Sequence, residues 1–134
     1  MKLGLVIGRF QPLHNGHMGI IQKALDENDK VLVLVGSANK LEDYNNPFTV
    51  GTRMSLIQHA FPEIDTLIVK GVNDYPSNVE WIEDITGRVN TMEDNPSNVT
   101  LYTSEKDEQF YRANFLYDIN VSPSQGLSAT GIRE

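Results

Sequence analysis

The stretch LGLVIGRFQPLHNGHMGIIQKAL, residues 3–25, decides the fold. Leu3 to Ile7 is an almost unbroken apolar run, the pattern of a strand buried on both faces. From about Gly16 to Leu25 the period changes, and Ile20, Ile21, Ala24 and Leu25 recur at helical spacing. Asp26-Glu27-Asn28-Asp29 closes that helix. Between strand and helix lies a turn holding Gly8, Pro12 and Gly16. A buried strand feeding directly into a helix is the opening unit of an α/β sheet.

The alternation continues along the chain. Val31 to Val35 is a second buried strand, ending at Gly36. Pro47-Phe48-Thr49 leads into a helix over roughly Val50 to Ala60, with Met54, Ile57 and Phe61 facing inward. Ile64 to Val69 reads as a third strand, Asn78 to about Val89 as a helix, and Asn98 to Tyr102 as a fourth strand. A short helix over Glu108 to Phe115 follows, then a fifth strand within Phe115 to Val121. The expected class is α/β: a Rossmann-like, doubly wound parallel sheet of about five strands with helices on both faces. Two polar loops stand out. Asn39 to Asn46 follows a strand's C-terminal end, where open α/β sheets bind ligands, whereas Thr91 to Ser97 reads as a plain surface connection.

The composition, over 134 residues, narrows the chemistry. With no cysteine, disulfides, thiolate catalysis and cysteine-ligated metal sites are excluded. A net charge of −7 argues against non-specific binding to DNA or RNA, though not against a small nucleotide held by a few well-placed cations. No apolar stretch approaches the roughly 20 residues that span a bilayer. Met1-Lys2-Leu3 leads straight into a strand, so the expected location is the cytoplasm.

His14 and His17 sit three residues apart at the strand–helix turn. A zinc site needs more ligands, and the only other histidine, His59, lies in the middle of a helix. There is no Gly-x-Ser-x-Gly elbow for serine hydrolysis. Phosphate fits better, because unpaired N–H groups and the helix dipole favour an anion there. Gly8 permits a tight exit from the strand, Pro12 stiffens the loop, and Arg9 adds a permanent cation.

GRFQPLHNGH (residues 8–17) resembles the His-x-Gly-His signature of the nucleotidylyltransferase superfamily. The Gly-Arg-Phe-Gln-Pro within it looks like the nicotinamide-nucleotide adenylyltransferase branch, in its archaeal-type and bifunctional adenylyltransferase–Nudix members. LSATGIRE (127–134) resembles that family's Ser-x-Thr-x-Ile-Arg motif, and NPFTVGTR (46–53) its Pro-Phe-Thr stretch. NDYPSNVEW (73–81) is similar to its segment with Asn and Trp three apart.

The resemblance implies that ATP and nicotinamide mononucleotide are joined to give NAD and pyrophosphate. It implies catalytic roles for His14, His17 and Arg133. Gly8, Arg9, Phe10, His14, His17, Ser128, Thr130 and Arg133 would bind ATP, although Phe10 could equally be core and Ser128 a plain helix cap. Ser37, Asn39, Asn78 and Trp81 would bind the mononucleotide; a core role is the alternative for Trp81. Asp74, Tyr75 and the stretch Ser104 to Asp107 stay open between ligand contact and solvated surface. Mg2+ would ride on ATP oxygens and water rather than in a protein metal site.

Archaeal-type members often carry a basic residue just before Pro-Phe-Thr. Tyr44-Asn45-Asn46 supplies none, so either Lys40 substitutes or the mononucleotide phosphate is held differently. The chain is expected to be one nucleotidylyltransferase domain over 1–134, trimmed at its C-terminal end or lacking a Nudix partner, because relatives continue the helix that follows Arg133. A homo-oligomer is compatible with this, since relatives often assemble. Other acceptors, phosphopantetheine or nicotinate mononucleotide, and a nucleotide-sensing module without turnover are the alternatives.

Overall fold

Leucine and valine alternate along the two central apolar runs, and that alternation sorts the core. The computed structural model, which describes residues 1–10, 13–38 and 48–123, forms β1 from Leu3–Gly8 and β2 from Lys30–Val35. The two are parallel neighbours, with Leu3 opposite Lys30 and Gly8 opposite Val35. Leu3, Leu5, Leu32 and Leu34 fill the core on one face of the sheet. Val6, Val31, Val33 and Val35 fill it on the other. A period of two along each strand produces this division without any other instruction.

Three more strands complete the sheet: β3 (Leu67–Gly71), β4 (Val99–Ser104) and β5 (Asp118–Ser122). The spatial order is β3-β2-β1-β4-β5, and every pairing is parallel. The helices are α1 (Asn15–Glu27), α2 (Val50–Ala60), α3 (Asn78–Asn90) and α4 (Glu108–Asn114). α1 and α2 bring Ile21, Ala24 and Ile57 to the valine face. α3 and α4 bring Ile85, Val89 and Tyr111 to the leucine face. The sheet is doubly wound, as its alternation predicts. Winding proceeds outward from β1 through β2 to β3, then restarts on the other side of β1 with β4. That reversal opens a crevice at the C-terminal ends of β1 and β4, where open α/β sheets take their ligands.

Two strand boundaries and the inward face of α2 differ from expectation. β3 begins at Leu67, not Ile64, because Glu63 adopts a left-handed φ of 58° and the Leu67 N–H closes a turn onto the Ile64 carbonyl. β4 runs two residues past the apolar pattern: Thr103 and Ser104 pair with Val121 and Ser122 of β5. In α2 the inward residues are Ile57, with Met54 and Phe61 half-buried, and also Arg53, which is completely buried. His59 is exposed on the same helix. Among the described residues no helix is long and apolar enough to cross a membrane.

The C-terminal end of α1 is fastened to the sheet by a polar cluster. Asn28 Nδ2 donates to the Ala24 carbonyl (2.8 Å) and to the Tyr102 hydroxyl (2.9 Å), which donates to Glu27 Oε1 (2.8 Å). Gly4 makes room for it: a Cβ there would lie 2.8 Å from Asn28 Nδ2. Tyr102 is only 3% exposed, so its hydroxyl depends on these partners, and burial followed by the Glu27 bond pushes its pKa up to about 12. Tyr102→Phe is expected to lower unfolding free energy by about 1 kcal/mol, the net scale of such a bond, read from urea denaturation.

Candidate active site

The turn between β1 and α1 is built by its own histidines. His14 is the N-cap of α1, and its Nδ1 accepts from the Gly16 N–H (3.1 Å). His17, at the third helical position, returns the favour: its Nδ1 accepts from the His14 N–H (3.2 Å). This is a capping box with imidazoles in place of hydroxyl and carboxylate. An Nδ1 that accepts from a backbone N–H carries no proton, so each neutral ring is protonated at Nε2. The rings stack, centroids 3.6 Å apart and planes 25° apart, and Phe10 meets His17 edge-on at 4.7 Å. Burial, then the neighbouring His14, pushes the His17 pKa down to about 4; burial also lowers that of His14. At neutral pH the pair is therefore two uncharged N–H donors, not two cations.

Both rings line a cavity of about 400 Å³ at the crevice, together with Gly8, Arg9, Tyr102, Ser104 and Lys106. Phe10 lines it too, yet is 2% exposed and belongs to the valine-face core, which is the alternative expected for it. Its φ of 52° folds the ring back over Gly8, where a Cβ would stand 3.0 Å from the ring. Any side chain there would require the ring to shift by a few tenths of an ångström.

A second cavity, about 440 Å³, opens on the other side of Arg9. Ser37, Asp74, Asn78, Trp81 and Phe110 line it. Asn78 opens α3, whose N-cap is Ser77, and Trp81 lies one turn on. Trp81 is half-buried and packs against Phe110 (5.9 Å) and Phe115 (6.1 Å), so it is at once a core contact and a cavity wall. Ser37 leaves β2 with a left-handed φ of 55°, and its Oγ donates to Asp74 Oδ1 (3.0 Å). Tyr75 donates to Asp84 Oδ2 (2.7 Å), and Arg88 Nε donates to Asp84 Oδ1 (2.8 Å), which ties the loop after β3 down onto α3.

The two cavities share Ile7, Gly8, Arg9 and Asp107. A larger one, about 660 Å³, between α3 and β3 contains none of these residues. Among the described residues no group of three or more His, Asp or Glu side chains comes together as a metal centre. Gly8, Arg9, Phe10, His14 and His17 thus meet at one cavity, and Gly8, Arg9, Ser37, Asn78 and Trp81 at the other. Asn39, Lys40, Ser128, Thr130 and Arg133 lie outside the described residues.

Arg53 was not among the expected site residues. Its guanidinium lies directly beneath the site. Nη1 donates to the carbonyls of Arg9 (2.9 Å) and Gly36 (2.6 Å), Nη2 to Ser37 (3.2 Å), and Nε to Thr49 (3.3 Å). The signal was present: an arginine four residues before Ile57 falls on the helix's inward stripe.

The cytidylyltransferase-like family model matches residues 5–134. A nicotinamide/nicotinic acid mononucleotide adenylyltransferase of Acinetobacter baylyi is 32% identical over 134 aligned residues, covering 96% of this chain and 71% of that protein. A nicotinamide-nucleotide adenylyltransferase of Picrophilus torridus is 38% identical over 82 residues, covering 60% of this chain and 48% of that one. The chain spans about half the length of several such relatives. Among solved structures, a bifunctional NMN adenylyltransferase/ADP ribose pyrophosphatase from Francisella tularensis matches with a TM-score of 0.82 at 26% identity, over 90% of this chain and 37% of that one. The same Francisella protein is also solved with AMP and a manganese ion. This chain belongs to the cytidylyltransferase-like family, on the branch of the nicotinamide-nucleotide adenylyltransferases.

Proposed function

We propose that this chain is a nucleotidylyltransferase domain that joins ATP to nicotinamide mononucleotide, giving NAD and pyrophosphate. The observation that carries this reading is the pair of cavities that share Gly8 and Arg9. Two ligands, one in each, would meet at the C-terminal end of β1. One side offers phosphate donors; the other offers a flat aromatic wall beside an amide, suited to a pyridinium with a carboxamide.

In the reaction an oxygen of the mononucleotide phosphate attacks the α-phosphorus of ATP. A new P–O bond forms as the α–β bridging bond breaks, and pyrophosphate leaves with that electron pair. The attacking phosphate is already anionic, so no strong base and no covalent enzyme intermediate are needed. Catalysis then consists of bringing two anions together and stabilising the charge that develops. His17 and His14 donate through Nε2 to ATP phosphate oxygens, His17 to the α-phosphate. Arg9 faces both ligands. Ser128 and Thr130 cradle the outer phosphates, Arg133 neutralises the leaving group, and Asn39 joins Ser37 at the mononucleotide. Neutral donors suit the task, since the ring protons stay in place across the working pH range.

The structure of the Francisella enzyme with AMP and a manganese ion supports use of a divalent cation. We assign Mg2+ as part of the substrate, carried on ATP oxygens and water, where it offsets phosphate charge. Asp107, the carboxylate common to both cavities, is a described group that fits its coordinated waters. The same reading puts the protein in the cytoplasm, without a nucleic-acid partner, and is compatible with a homo-oligomer.

The test is pyrophosphate release with ATP and a panel of acceptors: nicotinamide mononucleotide, nicotinate mononucleotide and phosphopantetheine. Turnover with the first is expected, and His17→Ala is expected to reduce it about 10²-fold, the scale for one preorganised donor. Binding of NAD without any pyrophosphate release would favour a sensor instead. Trp81→Ala is expected to raise KM for the mononucleotide about tenfold while barely moving that for ATP, as loss of an aromatic–cation contact would; equal losses would assign Trp81 to packing alone.

His17 also makes stability depend on pH. The unfolded chain takes up a proton near pH 6.5, whereas the folded ring resists until about 4. Stability is therefore complete above 6.5 and falls as pH drops toward 4, by on the order of 3 kcal/mol if the whole gap counts. His17→Gln, which keeps an acceptor for the capping bond, is expected to flatten that slope in denaturation curves at pH 7 and 4.5.

A further inference from the structure

Arg53 is 0% exposed, yet its four hydrogen-bond partners are all main-chain oxygens. A guanidinium taken out of water normally needs a carboxylate or an excellent set of acceptors. Here the acceptors cluster on two turns. The Arg9 carbonyl adjoins Phe10 at φ 52°, and the Gly36 and Ser37 carbonyls flank the φ of 55° at Ser37. Left-handed φ in non-glycine residues is costly and persists only where the surroundings impose it. One side chain is hydrogen-bonded to both of these turns, at the ends of β1 and β2. These two turns carry the residues that line the cavities: Gly8 and Arg9 for both, Gly36 and Ser37 for the second. The Gly36 N–H donates to the Gly8 carbonyl (2.8 Å), which closes the same junction from the other direction.

We propose that Arg53 is a positioning residue for the transfer: its buried fork sets the backbone on which Arg9 and Ser37 stand, and its charge, met by carbonyl dipoles, biases both cavities toward anionic ligands. The proposal rests on the adenylyl-transfer reading. A planar fork with several fixed donors is what three converging carbonyls require. A lysine ammonium is a point charge on a different stem and cannot reproduce that geometry. Asp74, joined to Ser37, stands close enough to steady the guanidinium, while Arg9 is close enough to oppose it. The cationic character of the site is thus shared between one exposed and one buried arginine.

The experiment compares wild type, Arg53→Lys and Arg53→Ala for pyrophosphate release with ATP and nicotinamide mononucleotide. It is run at a temperature where circular dichroism shows each variant fully folded. The expected result for Arg53→Lys is a loss in kcat of about 10²-fold, the scale for displacing reacting groups by an ångström, with KM raised for both substrates. Guanidinium ion is expected to restore turnover to Arg53→Ala saturably, and methylammonium is not. A residue serving only stability would lower the melting temperature and leave kcat per folded molecule unchanged, and that result would overturn the proposal. If Arg53→Ala does not fold, Arg53→Lys decides alone. If wild type itself releases no pyrophosphate, the functional reading has failed rather than the role of Arg53.

Discussion

β1 is hydrogen-bonded on both sides along parallel registers, to β2 and to β4, and the rest of the molecule depends on that double pairing. It places one strand at the centre of the sheet, buried on both faces, and makes it the point where the winding reverses. The last carbonyls of a buried strand need protein partners wherever they are shielded from water. The ends of β1 and β2 obtain that help from each other, through Gly36 and Gly8, and from the guanidinium beneath them. The crevice is then a by-product of how the backbone terminates.

The histidine pair shows the same economy. Two helix N–H groups would otherwise need partners, and two rings would otherwise rotate freely. Each problem removes the other, because the capping bonds at 3.1 and 3.2 Å fix ring orientation and proton position together. A hydroxyl at position 14 and a carboxylate at 17 would cap equally well, but would present an anion to the cavity instead of an N–H.

Much of this could be read before the structure. Elements whose burial follows a clean period, β1, β2, α1 and α3, are where the apolar pattern places them, and the doubly wound topology follows from their order. The pattern fails where polar atoms do the structural work. Thr103 and Ser104 extend β4 through backbone pairing that side-chain polarity hides. Ile64 looks like strand but closes a turn, because Glu63 before it is left-handed. Arg53 is the largest case, since hydrophobicity assigns arginine to the surface unless its acceptors are known, and three of its four lie sixteen to forty-four residues away in sequence. Within the site, the histidines and Trp81 were found by motif, while for Ser104, Lys106 and Asp107, in the stretch the sequence leaves open between ligand contact and solvated surface, the fold supplies the place beside the cavities. The closing segment with Ser128, Thr130 and Arg133 belongs to residues the structure does not describe.

The tether from Tyr75 through Asp84 to Arg88, with the Ser37–Asp74 bond beside it, holds one wall of the second cavity from two directions. Rotamer freedom in that wall is surrendered when the chain folds, not when a guest arrives. A molecule entering there meets side chains already tied to their neighbours, so less of its binding free energy goes into ordering them.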